Sequence, residues 1–228
     1  MSVVAVASSK YSDVANRIGG SAVPDGSELL DVHDPSTGAV ISRVPLSGAD
    51  AVDAAVRAAQ RALAEWSATP IKDRVQVFFR YRQLLERDLA GLSALITEEN
   101  GKVAGEAQAE VLKSMELCEF AVSLPQITAG EVLEVSRGVE CRVERYPVGV
   151  VASITPFNFP NMVANWTIPN ALVLGNTMVL KPSELVPLSA NRIADLLREA
   201  GLPDGELNVV HGGTAAVEAI CDHPGIAA

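Results

Sequence analysis

The last third of the chain alternates short apolar segments with amphipathic segments of about a dozen residues. This pattern predicts strands at 148–155, 177–181 and 207–211, and helices at 161–174, 189–200 and 214–221. Strands that alternate with helices form βαβ units, in which the neighbouring strands run parallel. The sequence therefore predicts an α/β fold with a Rossmann-like parallel sheet, and the segments that follow the three strands meet at its carboxyl edge.

The first 130 residues are predicted to be mainly helical. Residues 1–30 are small and polar and predict an extended arm, and residues 31–45 predict a short strand pair. Helical periodicity then indicates four helices, which begin near Ser47 (a candidate cap), Pro70, Leu92 and Gly105. Both tryptophans, Trp66 and Trp166, are predicted to lie in the core.

A charged β-hairpin is predicted at residues 131–146, where apolar and charged residues alternate. The hairpin is either an arm for self-association or an ordinary surface hairpin. It divides the chain into an arm (1–30), a helical part (31–130), the hairpin (131–146) and a βαβ core (147–228).

Charge and composition exclude several classes of partner. The net charge is −10 and the pI is about 4.8, which opposes binding to nucleic acid or to an anionic membrane. No segment reaches the length of a membrane helix, and no basic region precedes an apolar run at the N-terminus. Three widely spaced cysteines predict neither disulfides nor a metal site, and the expected location is cytoplasmic.

Asn158 follows the first of the three strands, between Pro156 and Pro160. The prolines favour an extended Thr155 and a helix that starts soon after Pro160. An amide NH₂ group near a helix N-terminus could stabilise a developing oxyanion without adding a proton to the site. Alternatively, Asn158 simply caps the helix.

Lys181 ends the second strand, and Glu184 follows it after a proline and a serine. A lysine at a strand end is suited to a phosphate or a ribose hydroxyl, and a carboxylate beside it could accept hydroxyls and repel a 2′-phosphate. Alternatively, the pair is a solvated surface turn. No GxGxxG motif follows any strand, and Gly212, after the third strand, could allow a close backbone approach to a cofactor or form an ordinary turn.

The cysteines are predicted to be structural. Cys118 lies on a helical stripe and Cys141 on the apolar side of a strand, so both are expected to pack as small core residues. Cys221 has no partnering base nearby in the sequence.

The segments TPFNFP, GNTMVLKPSE, REAGLPDGELNVVHGG and ENGK resemble the aldehyde dehydrogenase superfamily over nearly the whole chain from about Asp31. The chain looks closest to the branch that contains methylmalonate-semialdehyde dehydrogenase. The resemblance implies oxidation of a small aldehyde through a cysteine-bound intermediate, with NAD as the hydride acceptor. Water or, in that branch, coenzyme A would then receive the acyl group.

The resemblance also implies roles for single residues. Asn158 would be the oxyanion-hole amide, Thr155 and Phe157 would line the nicotinamide side, and Lys181, Glu184 and Leu185 would surround the adenosine ribose. The hairpin would begin the arm of a homo-oligomer, a dimer or a tetramer. Lys113 stands where members acting on carboxylated semialdehydes tend to carry an arginine.

The nucleophilic cysteine of the family has no counterpart in this chain, which predicts an N-terminal portion without turnover of its own. The alternative function is a catalytically inactive fragment that binds NAD or serves assembly, or a partly unfolded remnant with an exposed sheet edge.

Overall fold

A computed structural model describes residues 9–26 and 28–228, so the first eight residues of the predicted arm lie outside the described residues. The N-terminal half contains four short strands followed by four helices: β1 (Asn16–Ile18), β2 (Ser21–Val23), β3 (Leu29–His33), β4 (Val40–Pro45), α1 (Ala49–Ala68), α2 (Ile71–Arg87), α3 (Leu89–Asn100) and α4 (Ala104–Ile127).

A two-stranded hairpin and three βα units complete the chain. Their bounds are β5 (Glu131–Ser136), β6 (Val139–Val143), β7 (Val150–Ile154), α5 (Met162–Val173), β8 (Thr177–Lys181), α6 (Pro187–Glu199), β9 (Leu207–Val209) and α7 (Thr214–Cys221). The predicted alternation of strands and helices is therefore confirmed, with element ends displaced by at most two residues.

The main sheet has five strands in the order β2-β1-β9-β8-β7. Strand β8 pairs in parallel with β7 on one side and with β9 on the other, as predicted. On the outer edge of β7, the backbone of Ala152 donates to the carbonyl of Ala228, and that of Ala227 donates to the carbonyl of Val150.

The sheet lies between two helical layers because the side chains of its strands alternate between its faces. On β8, Met178 and Leu180 point into a core shared with α2 to α6, whereas Val179 packs with α1 and α7. All five residues of β8 are buried. Burial on both faces explains why this strand reads as an almost continuous apolar run.

The described part of the predicted N-terminal arm contributes two strands to the main sheet. Strands β1 and β2 form an antiparallel hairpin that extends the sheet from β9, so the sheet is mixed rather than purely parallel. The fully buried Asn16 accepts a hydrogen bond from the backbone of His211 (2.8 Å) and donates to Ser47 Oγ (2.9 Å). These bonds attach the arm to the segment that follows β9.

Several predicted helix starts are shifted. Ser47 does not cap α1, which begins at Ala49 with Gly48 as N-cap and no side-chain cap bond. The Ser47 hydroxyl oxygen instead accepts a hydrogen bond from Asn16 Nδ2. The third helix begins at Leu89, directly after α2, and α4 continues past Leu124 to Ile127.

Two residues predicted to lie in the core are exposed. Trp66 is buried and donates through Nε1 to the carbonyl of Leu172 (2.9 Å), but Trp166 is 49% exposed on α5. Cys141 lies on the β5–β6 hairpin, all of whose residues are exposed, so the expectation of a core position is wrong. Cys118, in contrast, is buried as predicted.

Within residues 9–26 and 28–228, no helix combines the length and the apolar character that a bilayer span needs.

Replacing Asn16 with Ala should lower the free energy of unfolding by about 1–3 kcal/mol, because the buried N–H of His211 then loses its acceptor. Chemical denaturation monitored by circular dichroism measures the change. Ser21→Ala, at an exposed position of the same hairpin, is the control and should leave stability unchanged. Equal stability of the two variants would contradict the proposed attachment.

Candidate functional site

The carboxyl edge of β7, β8 and β9 brings the three predicted loops together. Ile154 pairs with Lys181 in the register of β7 and β8, and the backbone N–H of Thr155 donates to the carbonyl of Lys181 (3.0 Å). On the other side of β8, Val210 donates to the carbonyl of Leu180 (2.9 Å). The segments 156–161, 182–186 and 210–213 therefore start side by side, which confirms the shared edge.

Asn158 is exposed at this edge, on the segment between β7 and α5. Within the described part of the chain, no hydrogen bond or ion pair engages its side chain. The neighbouring Phe157 and Phe159 are 54% and 37% exposed, and Thr155 is buried. The Asn158 amide is thus available to a ligand, with two aromatic rings beside it.

Asn158 does not cap the helix that follows, so the alternative interpretation is wrong. Helix α5 starts at Met162, and its N-cap, Asn161, makes no side-chain cap bond. Instead, Oε1 of Glu110 on α4 accepts the backbone N–H groups of Asn161 (2.8 Å) and Met162 (3.1 Å). A carboxylate at a helix N-terminus satisfies free donors and complements the helix dipole.

The segment ENGK, residues 99–102, contacts the loop of Asn158. Asn100 Nδ2 donates to the carbonyl of Phe157 (2.8 Å). Lys102 forms an ion pair with the buried Glu110, and its Nζ lies 3.8 Å from the ring centroid of Phe159, a cation–π contact. Gly101 has φ of +83°, which suits glycine and ends α3.

Lys181 and Glu184 form an ion pair rather than a solvated turn. Lys181 is 3% exposed, and its Nζ donates to the carbonyl of Pro182 (2.7 Å) and to Glu184 Oε2 (3.2 Å). Glu184 is partly exposed, and Leu185 is 52% exposed next to it. An ammonium group carries three protons, so one donor of Lys181 remains for a ligand.

A second buried carboxylate closes the N-terminus of α6, directly after the Lys181–Glu184 pair. Glu99 accepts the backbone N–H groups of Leu188 (2.8 Å) and Ser189 (2.9 Å). Burial raises the pKa of Glu99 to about 7, although the hydrogen bonds from Ser189 and Leu188 oppose the shift.

The segment after β9 is tightly packed. His211 is fully buried, with Nε2 2.9 Å from Asn191 Oδ1, and Nδ1 has no hydrogen-bond partner among residues 9–26 and 28–228. Burial, together with the positive charges of Lys181 and Arg17, lowers its pKa to about 3, so the ring is neutral. A Cβ on Gly212 would lie 2.5 Å from the carbonyl oxygen of Ser47, which is a packing reason for glycine at this position.

Sequence reasoning missed the residues that hold these loops in place, namely Glu99, Asn100, Lys102 and Glu110. A signal was present, because both glutamates occupy buried stripes of otherwise apolar or small residues. The buried face of α3 is Leu92, Ser93, Ile96 and Glu99, and that of α4 includes Ala107, Glu110, Val111, Ser114, Met115 and Cys118. A charge at a core position of a helix needs a partner, so each one predicts a buried contact.

The other reactive groups do not form a second site. Burial raises the pKa of Cys118 to about 12, and Cys141 and Cys221 are exposed. Among the described residues, no group of His, Cys, Asp and Glu side chains is arranged to hold a metal ion.

Comparison with known sequences identifies related proteins. The sequence profile described as the Aldehyde dehydrogenase family matches residues 23–228. Malonate-semialdehyde dehydrogenase 2 of Bacillus mycoides is 48% identical over 215 residues, which are 93% of this chain and 44% of that protein. The corresponding protein of Geobacillus thermodenitrificans is 48% identical over 216 residues. The chain therefore spans less than half the length of these curated relatives.

Solved structures with a similar fold are also named as semialdehyde dehydrogenases. Methylmalonate-semialdehyde dehydrogenase from Oceanimonas doudoroffii superposes with a TM-score of 0.93 at 40% identity, over 95% of this chain and 44% of that one. A putative methylmalonate-semialdehyde dehydrogenase from Sinorhizobium meliloti, crystallised with NAD, also has a TM-score of 0.93, at 37% identity over 96% of this chain and 45% of that one. At this similarity, the fold is shared over at least 95% of this chain.

Replacing Gly212 with Ala should lower the free energy of unfolding by about 1–3 kcal/mol, because the new methyl group collides with the Ser47 carbonyl and with Ala216. Thermal and chemical denaturation measure the loss. Gly213→Ser is the control, since a Cβ there meets nothing within 4 Å and serine is a favourable N-cap. A larger loss for the Gly213 variant would show that the packing argument is wrong.

Proposed function

The chain belongs to the aldehyde dehydrogenase family, and we propose that it supplies the NAD-binding part and the oxyanion-stabilising amide of an enzyme that oxidises a small aldehyde or semialdehyde. The activity is proposed for the whole protein, because the chain spans 44% of the length of its relatives. One observation carries the proposal: the Asn158 amide, which has no partner among the described residues, and the Lys181–Glu184 pair lie on the same sheet edge.

The last residue of β8 and the turn that follows it have the chemistry that an adenosine ribose requires. Lys181 keeps one free donor, and Glu184 uses only Oε2 for Lys181 within the described chain, so a donor and an acceptor remain for the ribose hydroxyls. The exposed Leu185 offers an apolar surface for the adenine beside them. The charge of Glu184 disfavours a 2′-phosphate, which supports NAD over NADP.

Asn158 has the properties of an oxyanion donor. Its NH₂ group is neutral, exposed and without a competing partner in the described chain. An amide donor directed at developing negative charge stabilises the transition state without supplying a proton of its own. Bound NAD would supply the hydride acceptor for the oxidation. We assign Thr155 and Phe157 to the nicotinamide side of the same strand end, and Gly212 to the cofactor surface after β9.

The substrate class is proposed from the relatives. The similar proteins are named for malonate semialdehyde and methylmalonate semialdehyde, and we propose a small semialdehyde for this protein. Lys113 is an exposed residue of α4 paired with Glu116. It would offer a substrate carboxylate a positive charge, but not the two parallel hydrogen bonds of an arginine. Water or coenzyme A would accept the acyl group.

The β5–β6 hairpin supports self-association of the whole protein. Its register places Leu133, Val139, Cys141 and Val143 on one face, and no part of the described chain covers this face. Exposed apolar side chains on a paired ribbon favour burial against another copy. We propose a homo-oligomer, and the acidic charge and three free cysteines support a cytoplasmic location.

The same hairpin favours a second function, in which the chain acts as an assembly module without catalysis. The distinguishing property is cofactor binding, because assembly through the hairpin does not require the Lys181–Glu184 pair.

The 228-residue chain should bind NAD with micromolar affinity, and Glu184→Ala should weaken binding by at least about tenfold through loss of charge-assisted hydrogen bonds. Isothermal titration calorimetry with NAD and NADP measures both affinities, and NADP should bind more weakly than NAD. The control is Glu134→Ala, which makes the same charge change on the exposed hairpin. Stable oligomers that do not bind NAD would support the assembly function instead.

The 228-residue chain alone should show no dehydrogenase turnover. Cys118 is buried with a raised pKa, and neither Cys141 nor Cys221 has a hydrogen-bonded base in the described chain, so no activated thiolate is present. Formation of NADH from propanal, followed at 340 nm in the presence of NAD, is the measurement. Sustained NADH formation by the purified chain would overturn this assignment.

A further inference from the structure

Three residues of one short segment surround the loop that carries Asn158. Asn100 is the last residue of α3, Lys102 lies in the turn to α4, and Glu110 lies in the second turn of α4. We call these three residues the α3–α4 clamp. Their contacts reach the loop on both sides of Asn158 and leave Asn158 itself untouched.

On the N-terminal side of Asn158, Asn100 fixes a peptide plane. Its Nδ2 donates to the carbonyl of Phe157 at 2.8 Å. This carbonyl and the backbone N of Asn158 belong to the same planar peptide unit. The hydrogen bond therefore fixes the orientation of the peptide plane before Asn158. This orientation also fixes the position of the Asn158 Cα, from which the amide side chain extends.

On the C-terminal side, Glu110 and Lys102 hold the other end of the loop. Glu110 accepts the N–H groups of Asn161 and Met162, and Lys102 neutralises its charge while covering the ring of Phe159. The Glu110 side chain is 1% exposed. A buried carboxylate with these partners is held in one position, because any displacement leaves a charge unpaired.

Asn158 has no side-chain partner of its own in the described chain, so its two flanks determine its position. We propose that the α3–α4 clamp presets the Asn158 amide for its role as oxyanion donor, and that Asn100 is a positioning residue for the reaction. This inference rests on the proposed function of Asn158. Catalysis by fixed donors requires such presetting, because a misplacement of about 1 Å can cost on the order of 100-fold in rate.

The first test uses the 228-residue chain and does not depend on activity. Nitrogen-15 relaxation should give Phe157, Asn158 and Phe159 backbone order parameters of about 0.85, the value of rigid backbone. Asn100→Ala should lower these values toward about 0.6 while the remainder of the sheet stays rigid. Asn100→Asp, which replaces the donor by an acceptor of the same size, should lower these order parameters by at least as much as Asn100→Ala.

A matched control removes another amide that donates to a backbone carbonyl. Gln76 is exposed on α2, and its Nε2 donates to the carbonyl of Lys72. Gln76→Ala should leave the order parameters of the Asn158 loop unchanged. Rigid loops in both Asn100 variants would overturn the proposal.

The second test uses the intact enzyme and separates positioning from general stability. Asn158→Ala should lower kcat by about 100- to 1,000-fold, the usual effect of removing an oxyanion donor. Asn100→Ala should lower kcat on the order of tenfold and leave the KM for NAD within about twofold, because the nucleotide loop is not touched.

The double variant Asn100→Ala/Asn158→Ala decides the mechanism. If Asn100 acts through the Asn158 amide, the double variant should be no slower than Asn158→Ala alone. If the fold-losses in kcat of the two single variants multiply in the double variant, Asn100 acts independently of Asn158, and the proposal is overturned. An intact protein without aldehyde-dependent NADH formation would instead refute the proposed function, and the relaxation experiment would still decide whether the clamp exists.

Discussion

Parallel pairing on both sides of β8 is the constraint on which the rest of the structure depends. A strand with two parallel neighbours needs helical crossovers, and these cover the face of the sheet that forms the larger core. The same pairing delivers the loop of Asn158 and the Lys181–Glu184 pair to one edge. The arrangement of these polar groups is thus a result of strand direction, and the local sequence decides only which groups arrive there.

The sequence predicted the elements whose signals are local and periodic, such as the alternating strands and helices after residue 147. The sequence-based prediction failed where a contact with a residue distant in the chain determines the local structure. Strands β1 and β2 have three residues each, too few to show a period, and they form because β9 offers an edge. Ser47 carries a capping signal, but its hydroxyl is engaged by Asn16. Helix α5 is largely apolar, so its sequence did not reveal that Trp166 faces outward.

Sequence reasoning placed the loop residues of the candidate site at one sheet edge but missed the residues that support these loops. Asn158, Lys181 and Glu184 stand next to strand ends, where sequence position alone implies a location. Glu99 and Glu110 act through contacts made some 50 to 90 positions away in the chain, which no local pattern contains. Their burial would be costly without partners, and the helix N–H groups provide these. Glu110 and Glu99 occupy the N-termini of α5 and α6, so these N–H groups are not free to bind a phosphate. A bound dinucleotide would place its pyrophosphate elsewhere.

The turn between α3 and α4 ties the two loops together. Glu99 holds the start of α6, which follows the turn of Lys181 and Glu184, and the next residue, Asn100, holds the loop of Asn158. The two loops are therefore not structurally independent. Under the roles proposed above, recasting the turn after β8 for another coenzyme would also disturb the Asn158 loop, because adjoining residues of one turn support both.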